Sequence, residues 1–246
     1  MDGLIRGMDI KNLPNFLGIG APRSGTTFLS HLLNQHPELY LPKNYKEVHF
    51  FDNNFHRGFK WYSSFYKSLK GEKAIGDFTP SYMSQNNVIL RIKEYKPDLK
   101  ILVCLRDPVE RTYSHFMQRA RFQNWKNDFD ETIKLNDKRI LDYGKYRTQL
   151  DELFKNFPMS QVKIIIFEDL IKNPQLVLNE VFEFLNLYHF EINFTNVPKN
   201  HMKEFHFKFL QKMIRGIRSF GRKYIIFRIL LYEIFPGKKI ISKIKK

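Results

Sequence analysis

Two short segments carry side chains suited to holding phosphate. The first is Gly20-Ala21-Pro22-Arg23-Ser24-Gly25-Thr26-Thr27. Its glycines let a backbone approach a ligand with no Cβ in the way, and its hydroxyls and one guanidinium are anion donors. Between a strand and a helix, such a loop turns backbone N–H groups toward an anion at the helix N-terminus. Arg23, Ser24, Gly25, Thr26 and Thr27 are therefore the expected phosphate contacts. A nucleoside-triphosphate loop places Lys directly after its second glycine, to reach the β- and γ-phosphates. Thr26 stands there instead. The expected ligand carries phosphate but is not a triphosphate, and no metal ion is required.

The second segment is Arg106-Asp107-Pro108-Val109-Glu110-Arg111-Thr112-Tyr113-Ser114-His115. Arg106 follows an apolar run and so emerges at a strand's carboxyl end, where open α/β sheets bind ligands. Pro108 suits the first turn of a following helix. Arg106 and Ser114 are then expected to meet one phosphate from either side of the turn. Two other readings stand beside this one: a local ion pair of Arg106 with Asp107, or Asp107 as an acid after a strand of the kind that holds a metal.

The elements that must position these segments are legible as hydrophobic patterns. Phe16-Leu17-Gly18-Ile19-Gly20, which stops at glycine and proline, Ile101-Leu102-Val103-Cys104-Leu105, and Val162 to Phe167, bounded by Pro158 and Pro174, are short apolar runs of the kind that form buried parallel strands. Phe28, Leu29, Leu32 and Leu33 recur at helical spacing and end before Pro37. Val88, Ile89, Ile92 and Tyr95 form a second apolar face. Leu150, Leu153, Phe154 and Phe157 form a third, and Leu178, Val181, Phe182 and Leu185 a fourth. Strands alternating with amphipathic helices predict an α/β fold with a mainly parallel, P-loop-type sheet.

Composition narrows the class. With 43% hydrophobic residues, 24 Phe and 12 Tyr among 246 residues, the chain can bury a sizeable core, which excludes wholesale disorder. The single cysteine, Cys104, excludes an internal disulfide framework and a Cys-rich zinc site. The first twenty residues lack a basic stretch followed by a long apolar one, so no secretory signal is expected. The greasiest run, Tyr224 to Phe235, is interrupted by Arg228 and Glu233, so no membrane-spanning helix is expected either. Together these predict a cytoplasmic protein.

The net charge of +16 is unevenly placed. Residues 199–246 hold 14 Lys and Arg against two acids, a local +12. The chain therefore divides into a domain over 1–198 and a basic helical extension over 199–246. In the extension, Leu210, Met213, Ile214 and Ile217 line one helix face. Two placements are open for it: packed on the domain, or lying at an anionic membrane surface such as the inner face of the membrane. No recognisable nucleic-acid module accompanies it, and no nucleic-acid partner is expected.

Gly20–Thr27 and Arg106–Ser114 together resemble the two nucleotide-binding motifs of sulfotransferases that use 3′-phosphoadenylyl sulfate (PAPS). Gly20–Thr27 is similar to the loop for the 5′-phosphosulfate, and Arg106–Ser114 to the 3′-phosphate motif. The likeness is to the glycan branch, that of heparan sulfate sulfotransferases and their bacterial relatives. It is carried further by Lys46-Glu47-Val48-His49-Phe50-Phe51-Asp52 and by Gly76-Asp77-Phe78-Thr79-Pro80-Ser81-Tyr82.

The resemblance implies PAPS as sulfuryl donor without a metal, and Glu47 as general base with His49 beside it. Arg23 would stabilise the leaving phosphate, and Asp52 and Tyr82 would face the acceptor, a saccharide, glycolipid or small alcohol. Gly144 and Tyr146 are further candidates for shaping the acceptor cleft. Two departures are visible: Arg23 stands where the family often has Lys, and Phe78 where many heparan-type members have Lys. The alternatives are a P-loop kinase of a small molecule, and a non-enzymatic basic module binding membrane or nucleic acid.

Overall fold

Phe16–Gly20 (β1) forms the middle of a five-stranded, wholly parallel sheet in the computed structural model, which describes residues 13–42, 47–122 and 129–196. Leu39–Tyr40 (β2) and Ala74–Phe78 (β3) lie to one side of it, Lys100–Leu105 (β4) and Val162–Ile166 (β5) to the other. The spatial order is β2-β3-β1-β4-β5. Lys46, the domain boundary at 198 and the basic segment 199–246 fall outside the described residues.

Side chains alternate across the sheet, as the two-residue period of a strand requires. Leu17, Ile19, Ile101, Val103 and Leu105 point to one face. They pack there on Val88, Ile89 and Ile92 of α3 (Asn86–Tyr95) and on Leu150 and Leu153 of α7 (Tyr146–Asn156). Phe16, Leu102 and Cys104 point to the other. They meet α1 (Thr26–Leu33), α8 (Phe167–Lys172) and α9 (Pro174–Phe184) through Phe28, Leu29, Leu32, Leu170, Leu178 and Phe182. The apolar faces expected for α1, α3, α7 and α9 are those buried. Each such side chain contributes about 1.5–3 kcal/mol on leaving water, so the strands stand on a fixed frame.

The sheet contains two strands more than the three apolar runs indicate. β2 has two residues, and β3 reads Ala-Ile-Gly-Asp-Phe, with glycine and aspartate that disfavour strands. Register explains why they are tolerated. Phe16 is paired with Gly76 and Phe78 with Gly18, so each ring covers a neighbouring glycine. A Cβ at Gly76 would lie 2.1 Å from the Phe16 ring, and one at Gly18 2.2 Å from the Phe78 ring. Phe78 is therefore a core residue, 5% exposed, that makes an edge contact with Phe16.

The chain runs outward from β1 to β2, returns through β3, then crosses to β4 and β5. β1 and β4 are thus neighbours whose following connections diverge, the geometry that opens a crevice at the strands' carboxyl ends. Both phosphate-type segments leave from that point. Ala21 N–H donates to the Cys104 carbonyl at 2.7 Å, closing the first loop onto the end of β4.

Candidate active site

At that crevice lies a cleft of about 300 Å³. Arg23, Gly25, Thr26, Thr27 and Phe28 line one part, Arg106 and Ser114 another, and Glu47 and Ser81 a third. The sequence separates these residues widely; the sheet brings them together.

The first loop works by backbone geometry. Gly25 is the N-cap of α1 in the left-handed region (φ 85°), and no side chain caps the helix. A Cβ here would sit 2.2 Å from the Phe167 ring, so both conformation and space demand glycine. The uncapped N-terminal turn of α1, with Thr26 and Thr27 on the cleft wall, presents donors and the positive end of the helix dipole. Arg23 also has positive φ (68°). Such a conformation costs a non-glycine residue about 1–3 kcal/mol and persists where surroundings fix it. Arg23 is so fixed: its Nε donates to Ser114 Oγ at 3.2 Å, across the two segments.

Arg106 is 3% exposed, its guanidinium 5.0 Å above the Phe167 ring and paired with Glu110 at 2.9 Å. The Asp107 carboxylate is engaged elsewhere. Its Oδ1 accepts from the N–H groups of Val109 (2.9 Å) and Glu110 (3.1 Å), so it caps α4 (Pro108–Phe122), with Pro108 in the first turn as expected. Burial, and then the charge of Arg106, lower the pKa of Arg23. Two guanidiniums on one cleft, only one of them paired with a carboxylate in the contacts described above, favour an anionic ligand.

Glu47, His49 and Asp52 form a chain. His49 Nε2 lies 3.3 Å from Glu47 Oε2 and its Nδ1 2.9 Å from Asp52 Oδ2, which also accepts from Ser81 Oγ at 3.0 Å. A carboxylate only accepts, so Nδ1 carries a proton toward Asp52, and Nε2, turned to Glu47, bonds it when one of those two groups carries a proton. His49 holds a left-handed backbone (φ 53°), its N–H 3.4 Å from Thr79 Oγ1. Thr79 donates onward to Asp77, a buried carboxyl that also accepts from the Tyr62 hydroxyl and whose pKa burial pushes up to about 6. This network sits directly beneath the 47–49 segment.

Several of the expected residues do not line the cleft. Ser24 is fully buried, its hydroxyl 3.4 Å from that of Tyr146, so it is not a donor on the cleft wall. Tyr82 is fully buried too; its hydroxyl accepts from Phe51 N–H at 3.1 Å, anchoring the Phe50-Phe51 core instead of facing an acceptor. Tyr146, 2% exposed, and the buried Gly144 lie behind the cleft. Asp52, its side chain 4% exposed, does not line the cleft; it touches Ser81 on the cleft wall and His49, which stands behind Glu47. Conversely, His115, Gln118, Tyr143 and Phe167 line the cleft without having been singled out. Helical spacing could have found Gln118, one turn beyond Ser114; Phe167 closes a strand read only as core.

Burial and the neighbouring charges of Arg111, Arg119 and Arg23 lower the His115 pKa to about 3, so its ring is neutral at pH 7. Arg111, fully buried, donates to the Ile140 carbonyl at 2.6 Å and to Thr112 Oγ1 at 2.9 Å. It ties α4 to α6 (Lys138–Leu141) and so supports the wall that carries Tyr143.

Comparison with known proteins places this geometry in context. The chain is 30% identical over 190 residues to heparan sulfate glucosamine 3-O-sulfotransferase 3B1 of Mus musculus, covering 74% of this chain and 48% of that protein. It is 38% identical over 107 residues to the membrane-associated sulfotransferase kil1 of Dictyostelium discoideum, covering 42% of this chain and 22% of that one. The chain thus aligns with less than half the length of these curated relatives. The crystal structure of a sulfotransferase from Alicyclobacillus acidocaldarius superposes with a TM-score of 0.68 at 29% identity, over 75% of this chain and 85% of that one. The family model for the sulfotransferase domain matches residues 13–226, past residue 198 and into the basic segment, and on that match this chain belongs to the sulfotransferase family.

Proposed function

We propose that the chain transfers a sulfuryl group from 3′-phosphoadenylyl sulfate to a hydroxyl or amine of a saccharide or glycolipid. The observation that carries this reading is the convergence of Arg23, Arg106 and Ser114 with the carboxylate of Glu47 on one cleft at the β1–β4 crevice. The cleft fits a phosphorylated donor: among the described residues it offers an uncapped helix N-terminus, the hydroxyls of Thr26, Thr27 and Ser114 and two guanidiniums, and Thr26 stands where a triphosphate loop has lysine.

In the reaction the acceptor oxygen or nitrogen forms a bond to sulfur as the bond from sulfur to the bridging phosphate oxygen breaks. The products are the sulfated acceptor and adenosine 3′,5′-bisphosphate. Glu47 takes the acceptor proton. His49 Nε2 can then accept a hydrogen bond from the protonated carboxyl, while Asp52 holds the ring through Nδ1. Arg23 and the N-terminal turn of α1 stabilise the charge that develops on the leaving phosphate. As in phosphoryl transfer, positioning and charge stabilisation supply most of the acceleration.

Titrating the chain with adenosine 3′,5′-bisphosphate and with ATP·Mg²⁺ tests the donor site. Tight binding of the first alone is expected; binding of ATP·Mg²⁺ alone would select a kinase, and binding of neither would return the protein to a basic binding module. A labelled donor offered to a panel of saccharides, lipid-linked glycans and small alcohols identifies the acceptor.

The cytoplasmic placement, and contact of residues 199–246 with an anionic membrane, belong to the same proposal. A local +12 beside apolar residues suits a membrane interface. The chain is expected to sediment with anionic liposomes at low salt and to be released at high salt, where charge is screened. Absence of binding at low salt, or full binding by a chain ending at Asn200, would remove the membrane contact.

A further inference from the structure

Tyr146 opens α7, and its ring belongs to the core beneath the sheet. Its hydroxyl has two neighbours from different segments. The carbonyl oxygen of Arg106 lies 3.1 Å away and Ser24 Oγ 3.4 Å away. A carbonyl only accepts, so the phenol donates to Arg106 and accepts from Ser24. Burial raises the phenol's pKa, so it keeps the proton that it donates. Ser24 is held a second time: its carbonyl accepts from the Cys104 thiol at 2.7 Å, at the end of β4.

We propose that Tyr146 is a positioning residue whose one hydroxyl joins the Arg23–Thr27 loop to the Arg106 turn and so fixes the distance between the two anion sites. The proposal rests on the reading of the cleft as a site for a nucleotide with two separated phosphates. The need for such a strut is electrostatic. Ser24 adjoins Arg23, and the bonded carbonyl is that of Arg106 itself. These are two like charges on one cleft: burial first, and then the charge of Arg106, lower the pKa of Arg23. Glu110 offsets part of the charge of Arg106, the remaining repulsion pushes the two segments apart, and Tyr146 bonds the backbone of one and the neighbour of the other. The base of the strut is fixed in turn: Arg111 holds the Ile140 carbonyl at 2.6 Å, and the 3₁₀ turn Asp142–Gly144 leads directly into α7.

Tyr146→Phe keeps the ring in the core and removes both hydrogen bonds. In calorimetric titrations of the full chain, the dissociation constant for adenosine 3′,5′-bisphosphate should rise about 10-fold. That for adenosine 5′-phosphate, which engages one site, should change much less, so the ratio of the two affinities falls. Ser24→Ala should reproduce the change, and the double variant should be no weaker than the weaker single one, because both remove one link. An unchanged affinity ratio, even with a lower melting temperature, would make Tyr146 a packing residue only and overturn the proposal.

Amide hydrogen exchange in the ligand-free protein gives a readout that does not depend on the nucleotide. Faster exchange at Ala21 and Asp107 in Tyr146→Phe is expected; identical exchange overturns the strut. If the wild type binds neither nucleotide, the reading of the cleft fails, and exchange still decides whether Tyr146 links the loops.

Discussion

Replacing Glu47 by glutamine should lower turnover by roughly 10²–10⁴-fold, the range in which general-base catalysis contributes, while adenosine 3′,5′-bisphosphate binds nearly as before. Glutamine keeps the size of the side chain and its place on the cleft wall but cannot take a proton. Its amide can still donate to His49 Nε2, so the Glu47–His49–Asp52 chain stays assembled and the loss isolates the missing base. The donor contacts come from other elements, the first loop and the start of α4, which the substitution does not touch. Single-turnover kinetics with saturating donor make the measurement clean, because they separate the chemical step from product release. Turnover within a few-fold of wild type would place the base elsewhere, with His49 the next candidate.

Asp52 supplies a graded companion to that result. Its carboxylate touches His49 and Ser81 and sits one step behind the cleft. Asp52→Asn leaves Glu47 in place but exchanges the charged acceptor shared by His49 and Ser81 for a neutral amide that orients the imidazole less firmly, so a smaller loss than that of Glu47→Gln is expected. Unequal losses follow from the order in which the chain reaches the cleft.

That order is not written in the sequence, although much of the fold is. The two anion segments announce themselves because their chemistry is local: glycine at φ 85° before an uncapped helix, and arginine at a strand end followed by proline. The strands β1, β4 and β5 are equally legible, being mostly apolar runs. β3 is not, since its Gly76 and Asp77 acquire a reason only from partners across the sheet. Gly76 makes room for Phe16, and Asp77 holds Tyr62 and Thr79. The same limit applies at the site. Ser24 and Tyr82 have the right types at the right motif positions, yet their hydroxyls turn inward to Tyr146 and the Phe51 amide. His115, Tyr143 and Phe167 enter the cleft through the packing of α4, a 3₁₀ turn and α8, which no spacing rule within one segment encodes.

Arg106 carries the second large expectation. The wild type should bind 3′-phosphoadenylyl sulfate more tightly than adenylyl sulfate, which lacks the 3′-phosphate. Arg106→Ala should erase most of that preference, a charge-assisted bond of about 1.5–3 kcal/mol or roughly 10- to 100-fold. The guanidinium is 3% exposed, so little of its interaction is lost to solvent screening. It is already held in place by Glu110 and the Phe167 ring, so little ordering cost remains on binding. Glu110 also makes the experiment two-sided. Its carboxylate occupies the guanidinium that a phosphate would use, and its side chain is 28% exposed, so neutralising it is tolerable for the fold. Glu110→Gln removes a negative competitor and should leave the preference intact or enlarge it. The two substitutions thus part on the same quantity, one erasing the preference and the other keeping or enlarging it, which general destabilisation of α4 would not do. Equal affinity of the wild type for the two nucleotides would remove Arg106 and Ser114 as a 3′-phosphate site.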